Sequence, residues 1–207
     1  MNNTLNTLFA TLLITTTGQA LAASSVDLTV KGMITPSACE PVLSKGGHIE
    51  IGKISAKDLK ADEHTTLGDQ VLELTVTCDG ATLMAIEPKD NRAGSASTID
   101  DASFGLGLVN GNEKLGYFAM ILDAPVADGT ELGPIASRDG GLTWTRLMFL
   151  INNGITSVAN STTIAPVPVQ SLVANLIVSP NIAPASSLTL TEEVPIDGSA
   201  TLTVKYL

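Results

Sequence analysis

Residues 200–206 alternate strictly between apolar and polar side chains. The apolar positions are Ala200, Leu202, Val204 and Tyr206. Successive side chains of a β-strand point to opposite faces of the sheet, so this pattern is typical of a strand with one face on a core and the other in water. The sequence therefore predicts that the chain closes with a core strand.

The first 22 residues are typical of a secretory signal peptide. A short apolar stretch runs from Leu5 to Ile14, and Ala20, Leu21 and Ala22 have the small-x-small form of a signal peptidase site. A disordered tail is the alternative interpretation. Residues 23–207 are then expected to form one exported domain, and no later apolar run approaches the roughly 20 residues of a membrane-spanning helix.

The two cysteines, Cys39 and Cys78, are predicted to form a disulfide, because an even count in an oxidising compartment favours pairing. Two free buried thiols are the alternative. The two histidines, His48 and His64, have neither the spacing nor the neighbours of a metal site. We therefore expect no metal and no cofactor.

Composition favours a single β-rich domain and argues against nucleic acid as a partner. Eighteen glycines and ten prolines punctuate short apolar segments. The formal net charge of −10, without a basic cluster, disfavours binding to nucleic acid or to anionic lipid.

The periodicity predicts nine or ten short strands, as in a β-sandwich. The expected strands are 26–34, 49–51, 72–78, 83–86, 104–109, 116–122, 144–151, 171–178, 188–190 and 200–206. The first of these ends near Cys39, and residues 55–69 are predicted to hold at most a helical turn. Residues 152–168 are predicted to be a long surface connection.

Residues 137–144 match the Asp-box pattern known from sialidases. Mechanically the pattern is a hairpin turn, in which Asp139 accepts bonds from the turn and Trp144 packs beneath it. One copy in a chain of this length is too little for a propeller. No nucleophile, base and orienting group can be assembled from the sequence, so we expect no enzymatic activity.

A second polar loop, residues 90–95, is a possible ligand site. Asp90, Asn91 and Arg92 are polar enough to bind a sugar or a partner. A turn in which Asp90 pairs with Arg92 is the structural alternative.

Together the signal peptide, the cysteine pair and the terminal strand resemble the pilin subunits of chaperone/usher fimbriae. Within that group, residues 34–39, 90–95 and 104–107 are most similar to a fimbrial-like family of Gram-negative bacteria known as domain of unknown function 1120. The resemblance implies an immunoglobulin-like β-sandwich of pilin type that lacks its last strand.

The resemblance also implies partners and a location. A periplasmic chaperone would lend a strand, an usher would export the subunit, and another subunit would later donate the strand at the cell surface. The residues implied in this strand complementation are Ala200, Leu202, Val204, Tyr206 and Leu207.

One departure from pilins concerns residues 23–25, the short segment before the expected first strand. Pilins of a rod carry a longer donor extension there. Three possibilities follow: a minor or tip subunit that accepts a strand and donates none, a self-completed periplasmic protein, or a chain whose Val26, Leu28 and Val30 are the donor. A sugar-binding adhesin of the surface is the remaining alternative.

Overall fold

A computed structural model describes residues 28–29 and 38–207. The chain divides into two units, Met1–Ile34 and Thr35–Leu207. Of the first unit only Leu28 and Thr29 are described, and neither lies in a strand. The predicted signal peptide and most of the predicted first strand therefore lie outside the described residues, and the fold below is that of the second unit.

The described part of the chain is all-β, with three short 3-10 turns at Ser44–Gly47, Ala56–Asp58 and Ala185–Ser187. In chain order the strands are β1 (Cys39–Leu43), β2 (Thr65–Thr66), β3 (Gln70–Thr82), β4 (Met84–Asp90), β5 (Phe104–Gly105), β6 (Leu108–Val109), β7 (Glu113–Lys114), β8 (Gly116–Ala127), β9 (Thr130–Glu131), β10 (Gly133–Ser137), β11 (Thr145–Arg146), β12 (Ile155–Ala159), β13 (Val169–Ile182) and β14 (Ala200–Tyr206).

The larger sheet has the order β1-β3-β13-β8-β5, with β2 added to β13 and β9 added to β8. Its pairings are antiparallel. The central strand β13 buries Leu172, Ala174, Leu176 and Val178 and exposes most of the residues between them. This alternation fixes the register, because a slip by one residue would expose the whole apolar set.

The smaller sheet has the order β11-β10-β12-β4-β14, and β6 pairs separately with β7. The core joins the two sheets into a β-sandwich: Leu74 and Phe118 of the larger sheet belong to the same buried cluster as Ile86 and Val158 of the smaller one. The fold therefore has the two-layer arrangement that the strand pattern predicts.

Several predicted strands are confirmed. The segment 72–78 lies inside β3 with Leu72, Leu74, Val76 and Cys78 buried in the predicted phase. Segments 83–86, 116–122, 171–178 and 200–206 lie wholly or largely in β4, β8, β13 and β14. The helical turn expected between residues 55 and 69 is Ala56–Asp58.

Other predicted strands are wrong. Residues 49–51 and 188–190 are not strands and pair with no described strand, and only Thr145–Arg146 of the segment 144–151 is a strand. Ile49 and Leu188 still pack against the core. Their apolar pattern therefore reflects half-burial without backbone pairing, which periodicity alone cannot distinguish from a sheet.

The predicted surface connection at residues 152–168 is also wrong, because it contains β12. All five residues of β12 are buried, and the strand lies between β10 and β4. A strand buried on both faces shows no alternation of apolar and polar residues. Thr156 and Ser157 make it look like a loop, although Ser157 Oγ donates to the Met84 carbonyl at 2.6 Å.

The expectation that a first strand ends at Cys39 is corrected as well. Cys39 begins β1, which runs away from the cysteine to Leu43. The strand that carries the disulfide therefore lies on the C-terminal side of Cys39.

Candidate functional site: a groove between the first and last described strands

The first and last described strands are edge strands of different sheets. β1 is at one edge of the larger sheet and β14 is at one edge of the smaller sheet. The Tyr206 hydroxyl accepts a hydrogen bond from the Cys39 backbone N–H at 2.9 Å. The two edges therefore lie side by side and are bridged at the Cys39 end.

A disulfide fixes β1 at this bridged end. Cys39 and Cys78 are directly opposite in the pairing of β1 with β3, with 3.9 Å between their Cα atoms. Asp79 adds two bonds: its N–H donates to the Ala38 carbonyl at 2.9 Å, and its carboxylate accepts from the Ala38 N–H at 3.1 Å. The predicted disulfide is thus confirmed, as a link between neighbouring strands of one sheet.

The side chains of β14 divide between the core and the solvent. Ala200, Leu202 and Val204 are half-buried and pack against the core, whereas Thr201, Thr203 and Lys205 are exposed. Tyr206 is 39% exposed, so its ring is only partly buried. Leu207 follows the strand and donates its N–H to the Leu83 carbonyl at 3.1 Å.

The backbone of β14 is paired on one side. The Asn91 N–H donates to the Ser199 carbonyl at 3.0 Å and the Leu207 N–H donates to Leu83, so the odd-numbered residues turn their backbone groups to β4. Antiparallel ladders alternate, so the N–H and C=O groups of Ala200, Leu202 and Val204 point to the open side. Within residues 38–207, the residues that face the core with their side chains are therefore those whose backbone groups point away from a paired strand.

Beside this edge is a cavity of about 1070 Å³ that reaches the core. Its floor consists of core side chains of the larger sheet: Leu72, Phe118, Met120, Leu176 and Val178. Its walls are the segments 47–54 and 190–196, and Ala200 and Leu202 of β14 line its side. A smaller cavity of about 360 Å³ continues between Leu43 of β1 and the same two residues. We call these two cavities the groove.

The walls of the groove carry more negative than positive charge. The Lys53 ammonium pairs with the Glu193 carboxylate at 2.7 Å, and both side chains are exposed. The other two carboxylates of the walls, Glu50 and Glu192, form no ion pair with any described residue. The wide end of the groove is therefore apolar inside and acidic outside.

The loop that begins at Asp90 is held by bonds within the chain. The buried Asp90 carboxylate accepts from the N–H groups of Arg92 at 2.8 Å and Gly105 at 3.0 Å. The Arg92 guanidinium pairs with the Asp197 carboxylate, with 2.7 Å between Nη2 and Oδ2. The alternative of a turn in which Asp90 pairs with Arg92 is thus confirmed, through the Arg92 backbone N–H, while the Arg92 guanidinium faces Asp197.

Asn91 of the same loop also binds within the chain. Its Nδ2 donates to the hydroxyls of Ser199 at 3.0 Å and Thr201 at 3.1 Å. Asp90, Asn91 and Arg92 therefore connect the end of β4 to the segment that enters β14. Their polar atoms are used in holding the edge strand in place.

The predicted hairpin at residues 137–144 is confirmed. β10 and β11 pair on either side of it, and Gly141 has a φ of +99°. The Asp139 carboxylate accepts from the Thr143 hydroxyl at 2.6 Å, from the Thr143 N–H at 2.9 Å and from the Ser137 hydroxyl at 2.7 Å. The Thr143 bonds, the largest cause, lower the pKa of Asp139 to about 2. The carboxylate thus stabilises the turn.

One polar contact could not be foreseen from the sequence, because its partners are far apart in the chain. His64 Nε2 is 2.9 Å from Ser97 Oγ, and the imidazole contacts the Tyr117 ring edge-on with 5.4 Å between centroids. No hydrogen bond to a carboxylate is found for His64 within residues 38–207. The pair lacks the orienting group of a catalytic triad and links two surface segments.

Within residues 28–29 and 38–207, no group of three or more His, Cys, Asp or Glu side chains is arranged to hold a metal ion. None of the helical segments in these ranges is long and apolar enough to cross a membrane.

These observations define a class: a disulfide-linked β-sandwich with an apolar groove between the edges of its two sheets. The family model described as "Protein of unknown function (DUF1120)" matches residues 28–119, so the family resemblance indicated by the sequence motifs is confirmed. The matched region extends from before β1 into β8 and includes both cysteines.

Two relatives from Escherichia coli (strain K12) are similar over most of the chain. "Uncharacterized protein YhcF" is 27% identical, over 91% of this chain and 93% of its own length. "Protein GltF" is also 27% identical, over 91% of both chains. The similarity therefore extends well beyond residue 119, where the family match ends.

Proposed function

We propose that this protein is a fimbrial-like subunit that accepts an added β-strand in the groove between β1 and β14. The observation that carries the proposal is that Ala200, Leu202 and Val204 combine core-facing side chains with outward-pointing backbone groups beside a cavity of about 1070 Å³. An extended peptide with apolar residues at alternate positions meets both needs, because it can fill the cavity and continue the sheet.

An open groove of this kind is unfavourable for an isolated protein. Core side chains at the cavity lack packing partners on one side, and an unpaired edge can pair with other chains and aggregate. In the proposed function a periplasmic chaperone covers the groove during export, and an usher and other pilus subunits follow at the cell surface of a Gram-negative bacterium. The sandwich is then of the incomplete, immunoglobulin-like pilin type.

The position of the disulfide supports this proposal. It holds β1 on β3, so one wall of the groove is fixed before any strand is added. A disulfide of this kind is typical of exported proteins. The proposal assigns no catalytic role to the protein.

Sugar binding has less support as a function. It would use the polar side chains of Asp90, Asn91 and Arg92, which are already bonded within the chain. Asp90 accepts from the backbone N–H groups of Arg92 and Gly105, Asn91 donates to the hydroxyls of Ser199 and Thr201, and Arg92 pairs with Asp197. A sugar would have to replace bonds that position β14. The groove, in contrast, offers apolar surface and backbone groups of β14 with which no described strand pairs.

The proposal can be tested by site-specific photocrosslinking in the periplasm. A photoreactive phenylalanine analogue is placed at Leu202, which lines the groove, or at Thr203, which is exposed on the other face of the same strand. The full chain is produced together with a pilus chaperone and usher. A crosslink to the chaperone from position 202, with little from 203, is expected.

Two results would contradict the proposal. Equal crosslinking from both positions would show that contact does not depend on the groove. A heat-stable monomer that forms no crosslink from either position would instead identify a self-completed periplasmic protein.

A further inference from the structure

The two edges that border the groove differ in their backbone donors. In β1 the bond between Asp79 and Ala38 sets the alternation, so Cys39, Pro41 and Leu43 turn their backbone groups away from β3. These are the groups that an added strand would meet on the β1 side.

Two of these three positions cannot donate to a new strand. The Cys39 N–H is already bonded to the Tyr206 hydroxyl, and proline has no N–H at position 41. Only the Leu43 N–H remains. If an added strand paired with β1, its carbonyl groups next to Cys39 and Pro41 would find no N–H donor. Polar groups without a hydrogen-bond partner are costly when buried.

The β14 edge has the full set of groups. Ala200, Leu202 and Val204 each turn an N–H and a C=O to the open side. The side chains of Ala200 and Leu202 continue the apolar lining, so backbone pairing and side-chain burial are in register on this side. At the far end the Tyr206 side chain reaches across to Cys39 and limits how far a strand can enter.

The negative charge of the groove walls adds a second preference, for a basic residue in the added strand. Glu50 and Glu192 are exposed at the walls of the larger cavity and have no ion-pair partner among the described residues. A lysine or arginine at the end of the added strand would be attracted to them, whereas an acidic residue would be repelled.

Resting on the proposed function, we infer that the partner strand hydrogen-bonds to β14 and not to β1, and that it is basic at the end that lies next to Glu50 and Glu192. It is an extended segment of another protein, with apolar side chains at every second position. β1 serves as a wall that packs against the strand without a backbone ladder.

N-methylated peptides test the one-sided pairing. The probe is a nine-residue peptide of alternating valine and threonine with lysine at both ends, and its binding to the full oxidised protein is measured by fluorescence anisotropy. Alternate N–H groups of a strand point to opposite neighbours. One derivative is methylated at the valine nitrogens and the other at the threonine nitrogens.

Only one derivative is expected to lose binding, by about 100-fold or more, while the other stays within about threefold of the parent peptide. An antiparallel strand bonds β14 through the residues opposite Leu202 and Val204, whose side chains also face inward, so loss with methylated valine indicates antiparallel pairing. Loss with methylated threonine indicates parallel pairing. Similar losses for both derivatives would overturn the inference and leave the strand-accepting groove intact.

A second comparison tests the charge. The same peptide with glutamate at both ends is expected to bind about three- to tenfold more weakly at low salt, and the difference should shrink at high salt. The Glu50→Gln, Glu192→Gln double variant should remove the difference.

Glu40→Gln is the matched control, because Glu40 is exposed on β1 and is absent from the lining of the groove. It should leave the difference unchanged. An undiminished preference for lysine in the double variant would contradict the charge assignment alone. Failure of every peptide to bind would count against the proposed function itself.

Discussion

The Tyr206 hydroxyl accepts a hydrogen bond from the backbone N–H of Cys39 across the two sheets of the sandwich, at 2.9 Å. These residues are 167 positions apart in the chain, at opposite ends of the described domain. The contact joins the last strand to the cysteine that begins the first described strand. It therefore closes one end of the groove and leaves the other end open.

We expect Tyr206→Phe to destabilise the domain by about 0.5–1.5 kcal/mol, because a single hydrogen bond is lost while the partly exposed ring remains. Urea unfolding measures the change, and hydrogen exchange at the Cys39 amide should become faster. Tyr117→Phe is the control, since the Tyr117 ring contacts His64 edge-on. Unchanged exchange at Cys39 in Tyr206→Phe would show that the bond does not form in solution.

Replacing both cysteines by alanine is expected to lower the free energy of unfolding by roughly 4 kcal/mol, because the bond closes a loop with a sequence separation of 39. Chemical denaturation of the oxidised protein and the double variant gives the difference. Mass analysis of unreduced protein after alkylation should find no free thiol. Two alkylated cysteines in protein purified without reductant would contradict the disulfide.

Thr156→Val should stabilise the protein by about 1 kcal/mol. The Thr156 hydroxyl is fully buried in β12 and has no hydrogen-bond partner among the described residues, and valine has nearly the same shape. The same change at Thr77, which is exposed on β3, should have little effect on the midpoint of urea unfolding. A destabilised Thr156→Val variant would imply a partner for the hydroxyl, such as bound water.

The Asp139 hairpin should give a defined pH dependence. Its folded pKa of about 2 lies below the ordinary value near 4, so the charged carboxylate stabilises the folded state above pH 4. That contribution is lost as the pH falls through about 2. Asp139→Asn should therefore lower Tm at pH 7, and the gap to the unchanged protein should narrow between pH 4 and pH 2.

Glu131→Gln is a control for that experiment, because Glu131 is an exposed carboxylate of the neighbouring strand β9. The Tm of Glu131→Gln should stay close to that of the unchanged protein at pH 7. A gap for Asp139→Asn that stays constant down to pH 2 would mean that the carboxylate charge is not what stabilises the turn.

Much of the fold was predictable where one face of a strand is buried. The alternation of Leu72, Leu74, Val76 and Cys78 fixed both the strand and the direction of the cysteine. The Asp139 hairpin was predictable for a similar reason, since its bonds join residues within a few positions of each other. Sequence patterns within one segment indicate the backbone structure of that segment.

Strands without alternation were not predictable. β12 is buried on both faces and contains threonine and serine, so its sequence resembles a loop. Ile49 shows the opposite case, because it has the pattern of a strand and contacts the core without pairing. Whether an apolar segment pairs depends on neighbours that periodicity does not identify.

The sequence by itself determined the all-β class, the disulfide between Cys39 and Cys78, and the core-facing residues of the last strand, because each depends on residue type and spacing along one segment. Only the tertiary structure decided that Arg92 meets Asp197, that Tyr206 bridges to Cys39 and that the edges of β1 and β14 border a groove. These contacts join residues more than a hundred positions apart. They depend on how two sheets pack, and periodicity shows which face of a strand is buried but not which distant residue that face meets.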